Sequence, residues 1–115
     1  MKTVSVDWDY LPEDIPGKIR ETLRLVPYFY PIYSCKYRIS SSGSGIHLLV
    51  TFKTDISDCD SLFIRAILRD DYMRLRLDMC RYVYDNRPIG LIFSQKCDVS
   101  TGEILSANEW ITVET

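Results

Sequence analysis

Histidine is almost missing from this chain, and its scarcity removes several chemistries at once. One histidine, His47, stands among 115 residues, and the four cysteines, Cys35, Cys59, Cys80 and Cys97, form no CxxC pair. Structural zinc sites are built from closely spaced ligand pairs, which these widely spread residues do not supply. The cysteines are therefore read as buried or half-buried free thiols and not as a disulfide framework. Walker loops, a GxSxG elbow and a paired catalytic Cys–His are also missing. No apolar run approaches the roughly 18 residues that cross a bilayer, so no membrane partner is expected. The opening Met1-Lys-Thr-Val lacks the long apolar core of a signal peptide, which makes the cytoplasm the expected compartment. The net charge of −2 gives no global attraction to nucleic acid; any such binding has to come from a local patch.

What is present is the composition of one globular domain, 46% hydrophobic and 26% charged, without repeat, low-complexity tract or linker. The expected core spans about residues 3–96, with a C-terminal extension over 97–115. Residues 3–9 alternate, placing Val4, Val6 and Trp8 on one side and Ser5, Asp7 and Asp9 on the other. Two prolines and a glycine follow, then a helical stripe of Ile19, Leu23 and Val26 that Pro27 closes. Tyr28-Phe-Tyr30 is either hinge packing or an exposed contact, and packing is the preferred reading. Alternation returns over 32–40 and 46–53 on either side of a short Ser/Gly loop, which is a hairpin. Helices are predicted over about 57–68, burying Leu62, Ile64 or Phe63, and Ile67, and from Asp70 or Asp71 to about Val83. The second has an apolar stripe of Tyr72, Leu75, Met79 and Tyr82 or Val83, leaving Arg74, Asp78 and Arg81 outside. A short strand over 89–93, a loop over 95–102 and terminal strands near 103–105 and 109–114 complete the chain.

The order β-α-β-β-α(α)-β predicts an α+β, ferredoxin-like or RRM-like split βαβ fold, an antiparallel sheet with helices on one face. Parity puts Val4, Val6, Trp8, Tyr33, Tyr37, Ile46, Leu48 and Val50 on the covered face. The open face then carries Asp7, Asp9, Lys36, Arg38, His47 and Lys53.

Two stretches on that open face carry chemistry. Asp7 and Asp9, one residue apart on a strand, are close enough to share a hard divalent cation such as Mg2+ or Mn2+. Ser42-Gly-Ser-Gly45 can turn backbone N–H groups toward an anion, with Lys36, Arg38, Lys53 and His47 as further phosphate contacts. The same loop also makes an ordinary hairpin turn, and alternating basic residues also keep an exposed strand soluble.

Asp7-Trp-Asp9, followed by Ser42-Gly-Ser-Gly-Ile-His47, resembles the first two motifs of archaeo-eukaryotic primases and primase-polymerases. The resemblance covers about the first 53 residues. It implies an RRM-like palm, with Asp7 and Asp9 as metal ligands and His47 with the 42–45 loop on the incoming nucleotide's phosphates. That family also uses a third acid on a later strand, and residues 89–93 hold none. Asp70, Asp71 and Asp78 fall in the helical region, away from the expected sheet face. The implied protein is a minimal or inactive palm, a small replication accessory of an archaeal virus or plasmid that binds DNA or a nucleotide; any activity it has would be metal-dependent nucleotidyl transfer. The alternative is a non-enzymatic interaction protein whose open face forms a homodimer or partner interface. A rolling-circle nickase shares the strand order but requires a His-x-His pair. Base stacking of the RRM kind is not expected with Tyr33 and Tyr37 on the covered face.

Overall fold

The computed structural model describes residues 2–84 and 109–114 in full, and the backbone of 85, 96–97 and 104–105. It is an α+β fold of the ferredoxin-like kind. Strand β1 (Thr3–Trp8) leads to helix α1 (Ile15–Leu23) and a 3-10 turn, Val26–Tyr28. Strands β2 (Ile32–Ile39) and β3 (Ile46–Phe52) form the hairpin, and helices α2 (Asp58–Ile67) and α3 (Tyr72–Cys80) follow, α3 running into a π-helical turn, Arg81–Asp85. Two short strands, β4 (Lys96–Cys97) and β5 (Ile104–Leu105), pair with each other, so part of the expected 95–102 loop is extended. Strand β6 (Ile111–Val113) completes a four-stranded antiparallel sheet in the order β1-β3-β2-β6. The strand expected over 89–93 lies outside the described residues.

Local chemistry accounts for the boundaries. Asp14 caps α1 by accepting from the Gly17 N–H, and Pro16 sits in the first turn, where its missing donor costs nothing. Ser57 caps α2 and Asp71 caps α3, each accepting from N–H groups of the first turn. Between these two helices the chain reverses on Arg69, whose φ of 58° is left-handed. Asp70 N–H donates to the Arg65 carbonyl and Arg69 N–H to that of Ala66, a Schellman closure with arginine where glycine is favoured.

Helices α1 and α2 cover one face of the sheet, and Val4, Val6, Trp8, Tyr37, Ile46, Leu48 and Val50 are buried beneath them with Ile19, Leu23, Ile64 and Leu68. Tyr33 departs from parity and is 74% exposed. The register slips between Ile32 and Ser34, so Tyr33 is the extra residue of a β-bulge and no longer shares the face of Cys35 and Tyr37. Tyr28 and Phe29 are exposed as well, and only Tyr30 packs, edge-on to Phe52 with its hydroxyl on Asp60. Cys35 is buried, which pushes its thiol up to about 12, whereas Cys59 and Cys80 are exposed free thiols, not half-buried ones.

Both later helices depart from the expected stripes. The buried face of α2 and its cap is Ser61, Ile64, Arg65 and Leu68, while Phe63 and Ile67 are exposed. The face of α3 that turns inward is polar, with Asp78 buried and Tyr72, Met79 and Val83 exposed. One residue causes both departures. Arg65 is 0% exposed and holds Asp70 Oδ2 and Asp78 Oδ2, each at 2.7 Å. A guanidinium in the interior requires carboxylates around it, and these draw the charged side of α3 inward.

Removing one partner of such a pair leaves an uncompensated buried charge. Asp70→Ala should therefore lower unfolding stability by about 3–5 kcal/mol in urea titration. Arg69→Gly, which relieves the left-handed conformation, should raise it by about 1 kcal/mol. A neutral Asp70→Ala would contradict this account of the corner.

Candidate metal and phosphate site on the open sheet face

The site begins at β1. One edge of the strand pairs with β3, so Asp7 lies opposite His47 and Val6 opposite Leu48. At the other edge the α2–α3 corner bonds to the backbone around Asp7. Asp7 N–H donates to Asp70 Oδ1 at 2.8 Å, and the Asp71 N–H donates to the Asp7 carbonyl at 3.0 Å. Asp70 Oδ1 also accepts from Asp71 N–H at 2.9 Å. Arg74 reaches across to the Ser5 carbonyl at 3.0 Å and to the Ser5 hydroxyl, while also holding Asp70 Oδ2. These bonds satisfy backbone groups of β1 at Ser5 and Asp7.

The docking brings a third acid to the strand pair. Carboxylate oxygens of Asp7, Asp9 and Asp71 lie within 4.8 Å of one another. Asp71 is the residue that sequence reasoning missed, because it was assigned to the helical region away from the sheet. Its only signal was the doubled acid at a helix boundary, where one carboxylate suffices for capping. Asp71 Oδ1 does cap α3, accepting from Met73 N–H at 2.9 Å, and a carboxylate retains further lone pairs beyond that role. Among the described residues, no lysine or arginine forms an ion pair with Asp9 or Asp71.

Charge accumulates here without equal compensation. At 4.8 Å two carboxylates repel by about 1 kcal/mol in water and by about 3 kcal/mol where the effective dielectric is near 20. The Asp7 carboxyl is held above its ordinary value by burial first, then by Asp9, Asp71 and Asp70, with Arg74 pulling the other way. A divalent cation would reverse that balance, and three carboxylates supply oxygen ligands of the kind Mg2+ and Mn2+ take.

From Asp7 a row of side chains crosses the sheet. His47 Nε2 lies 4.0 Å from Asp7 Oδ1, and His47 Nδ1 accepts from Arg38 Nε at 3.2 Å. Accepting at Nδ1 leaves the ring proton on Nε2, facing Asp7. Arg38 in turn stacks on Trp110, with its guanidinium carbon 4.4 Å from the ring centroid, a cation–π contact. This end of the open face is consequently not bare. His47 and Arg38 are only 6% and 7% exposed, so neither is the free phosphate contact that parity suggested.

The remaining candidates divide. The 40–45 loop closes as a hairpin turn, with Ser40 N–H on the Gly45 carbonyl, Gly43 N–H on the Ser40 carbonyl, and Gly43 at a φ of 76°. Ser42 Oγ lies 2.9 Å from Ser44 Oγ on its exposed rim. Gly45 presses on the end of β1, where a Cβ would stand 2.4 Å from the Trp8 carbonyl oxygen and 3.5 Å from Asp9 Cα. The loop therefore borders the acids. Lys36 is exposed on the open face, two residues from Arg38 and roughly 7 Å along the strand. Lys53 is six residues beyond His47, roughly 20 Å away at the other end of β3, and does not join the cluster.

A raised carboxyl favours its protonated form in the fold. The stabilisation from Asp7 is thus full below its ordinary value of 3.8 and is lost as pH rises through the higher folded value. Asp7→Asn cannot ionise and escapes that loss. Its thermal midpoint relative to the unsubstituted protein should climb between about pH 4 and pH 7 in chelator, as read by circular dichroism. A gap that shrinks over that range would contradict the assignment. Comparison of the chain with protein-family models, curated proteins and solved structures returns no match, so its functional reading rests on this geometry.

Proposed function

We propose that the chain is a nucleic-acid- or nucleotide-binding protein with a primase-like palm, which holds Mg2+ or Mn2+ on Asp7, Asp9 and Asp71 and captures phosphates through that ion. The observation that carries the reading is the convergence of Asp71 with the strand acids, since a third carboxylate from a separate element adds the ligand that the Asp7–Asp9 pair lacks. Hard cations bound by a few carboxylates keep open positions, which phosphate oxygens fill. His47 acts within the cluster, its Nε2–H directed at Asp7, and Arg38 and Trp110 hold the ring in place. The Gly43 and Gly45 N–H groups are spent inside the turn on Ser40, so the Ser42 and Ser44 N–H groups, beside Asp9, and the Lys36 ammonium supply the remaining phosphate contacts. Lys53 is too distant for the same phosphate and suits a neighbouring one on a longer DNA strand. The role that follows is a replication accessory of a virus or plasmid.

A second reading, a non-enzymatic interaction protein working through the open face, is favoured by one observation: Trp110 already covers Arg38 there.

The two readings separate in a calorimetric titration with Mn2+ and then a nucleoside triphosphate. The first expects saturable Mn2+ binding, lost in the Asp7→Ala/Asp9→Ala variant and weakened roughly tenfold or more in Asp71→Asn, which keeps the helix cap. Nucleotide binding should require the metal. No Mn2+ binding by the folded protein would leave the second reading.

A further inference from the structure

Helix α3 presents the wrong face to solvent for a helix on the surface of a monomer. Its inward side is charged: Asp78 is buried against Arg65, and Arg74 is engaged with Asp70 and Ser5. The outward side of α3 carries Tyr72, Met73, Leu77 and Met79 around an exposed Arg76, and the π-helical turn that follows adds Val83 and Tyr84. These six apolar residues are between 49% and 82% exposed. Surface helices normally show the reverse arrangement, with apolar residues toward the core. The charged side is pinned by the buried Arg65, so the helix cannot rotate to hide these residues.

We propose that this face is the interface through which two copies of the chain pair, α3 against α3, about a two-fold axis. The spacing of the seam supports a second copy as the occupant. Met73, Leu77 and Cys80 of α3 and Tyr84 of the π-helical turn are separated by four, three and four residues in sequence, so the order of spacings is the same from either end. An antiparallel pair then sets Met73 against Tyr84 of the partner subunit and Leu77 against Cys80 of the partner subunit, large beside large and medium beside small. Such self-complementarity is what an isologous interface requires. The area is also adequate. Aromatic side chains present on the order of 150–250 Å² each and aliphatic ones less, so six that are about half exposed or more offer roughly 600 Å², below but near the about 800 Å² per partner of a standard interface. The interface uses none of the proposed metal ligands and none of the open-face side chains Lys36, Arg38 and His47.

Sedimentation equilibrium of the full chain over a wide concentration range tests it. The expected result is twice the chain mass, with Leu77→Glu weakening self-association roughly tenfold or more. Because Leu77 is exposed, that variant should keep the far-ultraviolet spectrum and melting transition of a folded chain. Lys36→Glu, on the open face, should leave the dimer unchanged. A monomer at every concentration would overturn the proposal, including one whose α3 amides resist hydrogen exchange because its own chain covers them. A dimer insensitive to Leu77→Glu but broken by Lys36→Glu would overturn it too, by moving the interface to the sheet.

Discussion

The Asp70 carboxylate is the point on which the molecule turns. One oxygen accepts from the backbone N–H groups of Asp7 and Asp71, and the other is shared by Arg65 and Arg74. Sheet edge, helix corner and buried guanidinium thus meet on a single side chain. Each contact needs the others. Arg65 in the interior would be costly without its carboxylates, and Asp70 would be costly without donors on both oxygens. Charge-assisted bonds at 2.7–2.9 Å from four donors satisfy it. The corner is consequently docked on β1 by directional bonds and not by apolar contact alone, which fixes the position of Asp71 beside Asp7 and Asp9.

Two consequences follow from that clamp. It sets Asp71 beside Asp7 and Asp9, concentrating negative charge that burial and mutual repulsion make unfavourable without a counter-ion. It also commits the polar side of α3 to the interior, so the apolar side has nowhere to go but outward. The proposed cation site and the proposed dimer face are therefore two results of one buried arginine. They can fail separately, because the first depends on carboxylate geometry and the second on apolar area.

Much of the scaffold was legible because it is governed by short-range periodicity. Alternation located β1, β2 and β3, the Ser/Gly loop marked the hairpin, and parity alone put Asp7 and His47 on one face, where the register makes them direct neighbours. What escaped depends on contacts distant in sequence. Nothing local distinguishes Arg65 from the exposed arginines of a surface helix, so the stripes of α2 and α3 were assigned by hydrophobicity and came out rotated. Asp71 escaped for the same reason, since its approach to Asp7 exists only after the corner docks. Tyr33 escaped because a bulge adds one residue and reverses parity without any glycine or proline to announce it. Tyr28 and Phe29 were read as packing on apolar character alone, which does not say whether anything lies opposite.

If the Asp70 clamp turns the strand pair of acids into a three-carboxylate cation site, crystals grown with Mn2+ will hold the ion there, and anomalous diffraction will locate it. The expected result is one peak within about 2.0–2.3 Å of an oxygen from each of Asp7, Asp9 and Asp71, with the Asp70–Arg65 pair intact. No peak at that position, or an ion held by Asp7 and Asp9 with Asp71 turned away, would contradict it.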